Sequence, residues 1–209
     1  MELEDLARDA LGAVETLLAR ATAAVRQKAT AHGRLDNACI EAEQHAVHGL
    51  AWLATYVEAI RQLGAYAERM NKEGRFGETE ALLTRIGLGE YLAQAFSGIP
   101  MNQGEFVRPS DFGLDEAGLR EGAVAELIRS GSTIENRARL VGLIENAHDG
   151  PIGDPGLDET LEAMRAEMRR FADAEVIPHA QDWHRTNSYI PIEVIQGLAD
   201  MGVFWLTIP

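Results

Sequence analysis

Between His148 and Gly156 the chain reads His-Asp-Gly-Pro-Ile-Gly-Asp-Pro-Gly, and no apolar period crosses that stretch. Glycine and proline both interrupt regular structure, so this chain must be built from two stretches, one on each side of the break. A domain boundary is expected there, with residues 1–150 forming one part and residues 157–209 another. Both stretches carry the same period. From Leu3 to Ala31, the residues Leu6, Ala10, Ala13, Leu17, Ala21 and Ala24 fall at spacings of three and four, which lines them up on one helix face. The expectation is an all-α protein.

The first stretch resolves into helices with short breaks. Gly33 is the expected left-handed stop of the first helix. Asp36 is placed to cap a second that runs to about Lys72, where Gly74 and Gly77 end it. On that helix Trp52, Tyr56, Leu63 and Tyr66 form a stripe, and Leu53, Val57 and Ile60 widen it, which predicts a helix buried on most sides at the centre of a bundle. A third helix spans Glu78 to Phe96. Residues 98–113, with two prolines and three glycines, read as a connector. Two shorter helices follow, Asp115 to Arg129 and Thr133 to Ala147.

Beyond the break, Asp158 caps a helix on which Leu161, Met164, Met168, Phe171 and Ala172 share a face. Pro178 lacks the backbone donor and should bend or restart it. Ile190-Pro191 opens another helix, which Gly202 stops. Val203-Phe204-Trp205-Leu206-Thr207-Ile208 reads as a short extended run. A hydrophobic strand needs a partner strand and none is evident, so the natural chain is expected to continue past Pro209.

Charge narrows the function. The 209 residues hold 33 acids against 19 bases, a net charge of -14, with no basic arm, which argues against a nucleic-acid surface. One cysteine excludes a disulfide framework and a cysteine-rich zinc site. No apolar run reaches the roughly 18 residues of a membrane span. The start Met1-Glu2-Leu3-Glu4-Asp5 is acidic where a secretory signal is basic, so a cytoplasmic location is expected.

Arg169-Arg170-Phe171-Ala172-Asp173-Ala174-Glu175-Val176-Ile177-Pro178-His179-Ala180, then Ile190-Pro191-Ile192-Glu193-Val194, then Leu198-Ala199-Asp200-Met201-Gly202-Val203-Phe204-Trp205-Leu206-Thr207-Ile208-Pro209, resembles the start of the acyl-CoA dehydrogenases. Acyl-CoA oxidases and some flavin monooxygenases share this opening. The helical residues ahead of it, with Ala42 to Tyr56 and Ile99 to Glu105, are similar to the extension that one branch of the family carries. The resemblance implies a helical-bundle extension followed by the first helices of an N-terminal α-domain. It also implies FAD as cofactor, an acyl-CoA substrate desaturated at its α,β bond, an electron-transfer flavoprotein as acceptor, and a homo-oligomer. In this family a glutamate of the C-terminal helical domain removes the α-proton, and most flavin contacts come from later domains. No catalytic or flavin-binding residue is therefore assigned within this chain, which alone is expected to be inactive. Phe171, Leu198, Val203 and Phe204 are the expected core of the opening helices. A rival from another class is that residues 1–150 form an interaction module, which a large apolar surface on that part would favour.

Several constellations have a chemical and a bland reading. Glu41, His45 and His48 fall on one face of a continuous helix and could hold zinc or iron. A di-iron bundle needs Glu-x-x-His on two helices, which is missing, so hydrogen-bonded histidines at a core edge are expected and no metal. Gly87-Leu88-Gly89-Glu90 lacks the preceding strand and third glycine of a phosphate loop, and reads as close helix packing. Cys39 near a helix start reads as a small buried residue rather than an activated thiolate. Glu175 and His179 read as a solvated i, i+4 pair. Arg129, Arg137 and Arg139 could meet a CoA phosphate, but the nearby Glu126, Glu135 and Glu145 favour surface ion pairing.

Overall fold

The structure, a computed structural model, describes residues 2–97, 108–115, 117–147 and 152–205. The described residues are all-α apart from one short hairpin, and the chain divides into two compact units, Met1–Gly156 and Leu157–Pro209.

In the first unit, α1 (Leu3–Lys28) has Glu4 and Asp5 in its first turn and Arg26 and Lys28 in its last, complementing the helix dipole at both ends. Leu6, Ala10, Leu17 and Ala21 of the expected stripe are buried. Val14 and Val25 complete it, while Ala13 and Ala24 stand half-buried at its edge. The helix stops three residues short of Ala31. Thr30–Ala31 (β1) instead pairs antiparallel with Arg34–Leu35 (β2) across His32 and Gly33, both with positive φ (51° and 78°). That is the backbone of a two-residue hairpin turn, so Gly33 serves the turn and not a helix end.

The long second helix is two helices. Asp36 accepts a hydrogen bond from the Cys39 amide at 3.0 Å and caps α2 (Asn37–Ala42). Glu43 then leaves helical geometry (φ -103°, ψ 21°), and its carboxylate takes a hydrogen bond from Lys28 at 3.3 Å, tying the break to the end of α1. Helix α3 (Gln44–Lys72) follows and buries Leu53, Tyr56, Val57, Ile60, Ala67 and Met70. Trp52, Leu63 and Tyr66 are only half-buried, at the rim of that face.

The enclosed helix is α4 (Glu78–Ser97), which packs against α1, α3, α5 (Gly122–Ser130) and α6 (Ile134–Asn146). It buries Leu88, Leu92, Ala95 and Phe96. Gly89 permits a close approach to the α5–α6 turn: a Cβ there would meet the Leu127 carbonyl oxygen at 2.9 Å, and Gly131 Cα and the Ser132 nitrogen at 3.2 Å. The glycines of Gly87-Leu88-Gly89 are thus packing points, Gly87 facing Leu63.

The connector 98–113 lies outside the described residues up to residue 107. Its end, Pro109–Phe112, is a 3-10 turn that buries Phe112. The helix expected from Asp115 begins only at Gly122. Gly118, ahead of it, carries a φ of 77°, which the interior of an α-helix cannot contain, and Gly122 opens the helix at a φ of 52°. Thr133 caps α6 through the Asn136 amide, and Asn136 donates to the carbonyls of Ser130 and Gly131 at 2.8 Å each, fastening the α5–α6 turn.

In the second unit, Asp158 caps α7 (Glu159–Phe171) by accepting from Leu161 N–H at 2.8 Å. Residues Ala172–Val176 widen into a π-turn, and α8 (Ile177–Thr186) restarts with Pro178 in its first turn. The cause is Pro178 itself: with no N–H to bond the preceding turn, the ladder slips by one residue, and Ile177 N–H reaches the Ala172 carbonyl. Helix α9 (Ile192–Asp200) starts after Pro191, and Gly202 (φ 78°) ends the segment that follows it. Val203–Trp205 is a 3-10 turn and not the start of a strand. Leu206, Thr207, Ile208 and Pro209 lie outside the described residues.

The two units differ most in burial. All the buried residues among those described belong to the first unit. In the second, Phe171, Leu198 and Val203 are half-buried, while Phe204 (49% exposed), expected in the core, and Trp205 (74%) are open.

Candidate functional site

The break at Glu43 takes Glu41 away from the face that carries His45 and His48. Glu41 belongs to α2, whereas His45 and His48 belong to α3, and all three are exposed. Both histidines have partners of their own. His45 Nε2 lies 3.8 Å from Asp111 Oδ2, and His48 Nε2 accepts a hydrogen bond from Trp52 Nε1–H at 2.9 Å. No grouping of three potential metal ligands occurs among the described residues. His48 is hydrogen-bonded as expected, whereas His45 only approaches a carboxylate, and both lie on the surface and not at the core edge.

Cys39 sits in the Asp36 cap. Burial, followed by its hydrogen bond to Asp36 and the negative charge there, pushes its thiol above its usual range, the opposite of what a nucleophile needs. The Cys39 amide in turn holds the Asp36 carboxyl below the ordinary carboxylate value.

The arginines are occupied. Arg139 makes a two-pronged pair with Glu78 (2.6 and 2.7 Å), and Arg137 reaches Glu90 at 2.7 Å and Ser132 at 2.8 Å. Arg129 pairs with Glu126. Glu90 and Glu78 lie on α4, so two of the three pairs bind α6 to the bundle, a role the spacing to Glu126, Glu135 and Glu145 does not reveal. His179 stacks on Trp183 with ring centroids 5.6 Å apart, so its ring has an aromatic neighbour on its own helix.

The second unit holds an open, mostly apolar groove of about 630 Å³ lined by Leu161, Met164, Met168, Met201 and Val203, together with Arg165 and Glu167. Methionines make such a surface adaptable. Its one guanidinium is paired with Glu162 at 2.8 Å. A flavin dinucleotide needs donors for its ring carbonyls and pyrophosphate, and this groove offers an apolar wall with no free donor set. The residues described here do not make an FAD site by themselves. They make faces against which other chain can pack.

No helix among the described residues is long and apolar enough to cross a membrane. Residues 158–209 match the model of the acyl-CoA dehydrogenase N-terminal domain. The whole chain is 49% identical over 209 residues to a (2S)-methylsuccinyl-CoA dehydrogenase of Cereibacter sphaeroides and spans 38% of that protein's length. The likeness first read from Arg169 to Ala180 is thereby shown: residues 158–209 match the family's N-terminal domain, and the chain is related from end to end to an acyl-CoA dehydrogenase.

Proposed function

We propose that this chain forms the N-terminal part of a flavin-dependent dehydrogenase that desaturates (2S)-methylsuccinyl-CoA to mesaconyl-CoA. The single observation that carries the reading is the 49% identity along all 209 residues to an enzyme of that name, which includes the helical extension and not only the common family domain. An acyl-CoA oxidase or flavin monooxygenase would account for residues 158–209 but not for the first 150.

In this reading residues 1–150 are the extension, and residues 157–209 open the α-domain that the rest of the enzyme completes. The open faces of α7 and α9 support this. Leu161, Met164, Ile192, Ile195 and Met201 are all exposed, and full burial of such a side chain is worth about 1.5–3 kcal/mol. FAD, the catalytic glutamate and the docking of an electron-transfer flavoprotein belong to the remaining domains, in a cytoplasmic homo-oligomer, and the present residues supply no base. The interaction-module rival is less favoured. Among the described residues of the first unit only Leu35, Ile134, Val141 and Ile152 are large, apolar and exposed, which is not a broad patch.

The test is turnover by the enzyme expressed from its whole open reading frame. Methylsuccinyl-CoA should reduce an artificial electron acceptor in its presence, with straight-chain acyl-CoA thioesters far slower. Preference for a straight-chain thioester would sink the substrate assignment, and release of hydrogen peroxide in place of acceptor reduction would point to an oxidase.

A further inference from the structure

Residues Ile152–Gly156 precede α7 and have no regular structure, yet α3, α4 and the turn between them hold them by several kinds of contact. The Tyr66 hydroxyl donates to the Asp154 carbonyl at 2.6 Å. The Asp154 amide donates to Glu80 Oε1 at 2.9 Å, while Glu80 Oε2 accepts from the Gly77 amide at 3.0 Å. Glu80 is 8% exposed, so this carboxylate is buried and spends both oxygens on backbone donors. The Asp154 carboxylate takes a two-pronged hydrogen bond from Arg75, with Nε at 2.7 Å from Oδ2, and Oδ1 also accepts the Gly156 amide at 2.7 Å. Glu73 steadies Arg75 from the other side at 2.7 Å.

The glycines fit the same purpose. Gly153 and Gly156 have φ of 75° and 65°. A Cβ on Gly153 would come within 2.9 Å of Leu83 Cδ1, and one on Gly156 within 2.7 Å of Arg69 Nη2 and 3.4 Å of Met70 and Tyr66. A plain spacer between two units needs neither left-handed glycines pressed on a helix nor a buried carboxylate aimed at its backbone.

We propose that Asp154, with Arg75, Glu80 and Tyr66, is a clasp that fastens the connecting segment to the α3–α4 corner, so that the joint between the two units lies after Gly156. An open clasp would free Ile152–Gly156 and lengthen the tether by up to about 17 Å at the fully extended reach per residue. The clasp thereby sets where the chain leaves the α3–α4 corner, and it is a property of this chain whichever thioester the enzyme takes.

The experiment compares the full 209-residue chain with Asp154→Ala, Arg75→Ala and Asp154→Asn. Hydrogen exchange is read on peptides covering 152–157, and thermolysin cleavage is read at the Gly156–Leu157 bond. Asp154→Ala and Arg75→Ala should speed exchange of the Asp154 and Gly156 amides about tenfold or more, and cleavage should speed in parallel, with α1, α3 and α4 exchanging as before. Asp154→Asn, which keeps the shape and loses the charge, should fall between. Exchange at 152–156 that is already fast in the unaltered chain overturns the clasp. So does a loss of protection throughout α3 and α4 in all three variants, which would make these residues ordinary supports of the bundle.

Discussion

Replacing Gly89 by alanine and, separately, Gly12 by alanine sets one substitution in two helices against itself. Alanine is favoured over glycine inside a helix by about 0.8–1.0 kcal/mol. At Gly12 in α1 a Cβ meets nothing within 4 Å, so that preference should appear whole. At Gly89 it would meet the Leu127 carbonyl oxygen at 2.9 Å, with Gly131 Cα and the Ser132 nitrogen at 3.2 Å. These are backbone atoms of a turn that Asn136 holds through two carbonyls, so no side chain can swing aside. Overpacking of this kind costs about 1–3 kcal/mol, and the rigid turn places Gly89 toward the upper end. Less the helix preference, the net loss is about 1–2 kcal/mol. For a chain of this size 1 kcal/mol moves Tm by about 2–4 °C. Gly12→Ala should therefore raise Tm by about 2–4 °C and Gly89→Ala lower it by about 2–8 °C, followed by far-UV circular dichroism on the 209-residue chain. A Gly89→Ala protein as stable as Gly12→Ala would refute the close approach of α4 to the α5–α6 turn.

Other outcomes test other parts of the structure. Leu92→Ala, at a fully buried position of α4, should cost about 2–5 kcal/mol in urea unfolding. Thr84 is also fully buried, and among the described residues its hydroxyl has no hydrogen-bond partner, so Thr84→Val should gain about 1 kcal/mol in the same assay; a loss would mean that the hydroxyl is bonded. The Asp36 carboxyl is held below its ordinary value, first by the Cys39 amide, so its stabilising effect is complete above about pH 4 and disappears as the pH falls through the lowered value. Asp36→Ala should flatten the acid limb of stability against pH, and a limb as steep as before would remove the cap from the account. Cys39, with its thiol pushed up, should react with a disulfide reagent at pH 8 more slowly than free cysteine does.

What could be read from the residues alone was whatever a single segment decides. The Asp158 cap, the restart at Pro178 and the stop at Gly202 depend on a few neighbouring groups, and all three occur. Misreadings arose where two segments compete for the same residues. A continuous helix through Glu43 satisfies local preference, but Lys28 holds that carboxylate from the end of α1, 15 residues earlier, and the metal triad goes with the helix that would have aligned it. Gly33 reads equally well as a helix stop or as half of a hairpin turn, and pairing of Thr30 with Leu35 decides for the turn. Val203–Trp205 has the composition of a strand but no strand edge beside it among the described residues, and its backbone instead closes its own bonds in a 3-10 turn. The clasp was hidden for the same reason: Asp154 lies 74 residues from Glu80 and 79 from Arg75, and nothing local marks it.

The two units differ in how far each encloses its own side chains. The first unit can satisfy itself. Its helices close on Val14, Leu17, Ile60, Leu88 and Leu92, none of which retains accessible surface, and Arg137 and Arg139 tie α6 to Glu90 and Glu78 of α4. The second unit has helices with good caps but no buried side chain among its described residues, and caps contribute only about 1 kcal/mol each. Its apolar side chains at Leu161, Met164, Ile177, Ile192 and Ile195 stand open on α7, α8 and α9, whereas the first unit encloses most of its own. Fastening the connecting segment to the first unit places the cost of ordering that segment where burial can offset it.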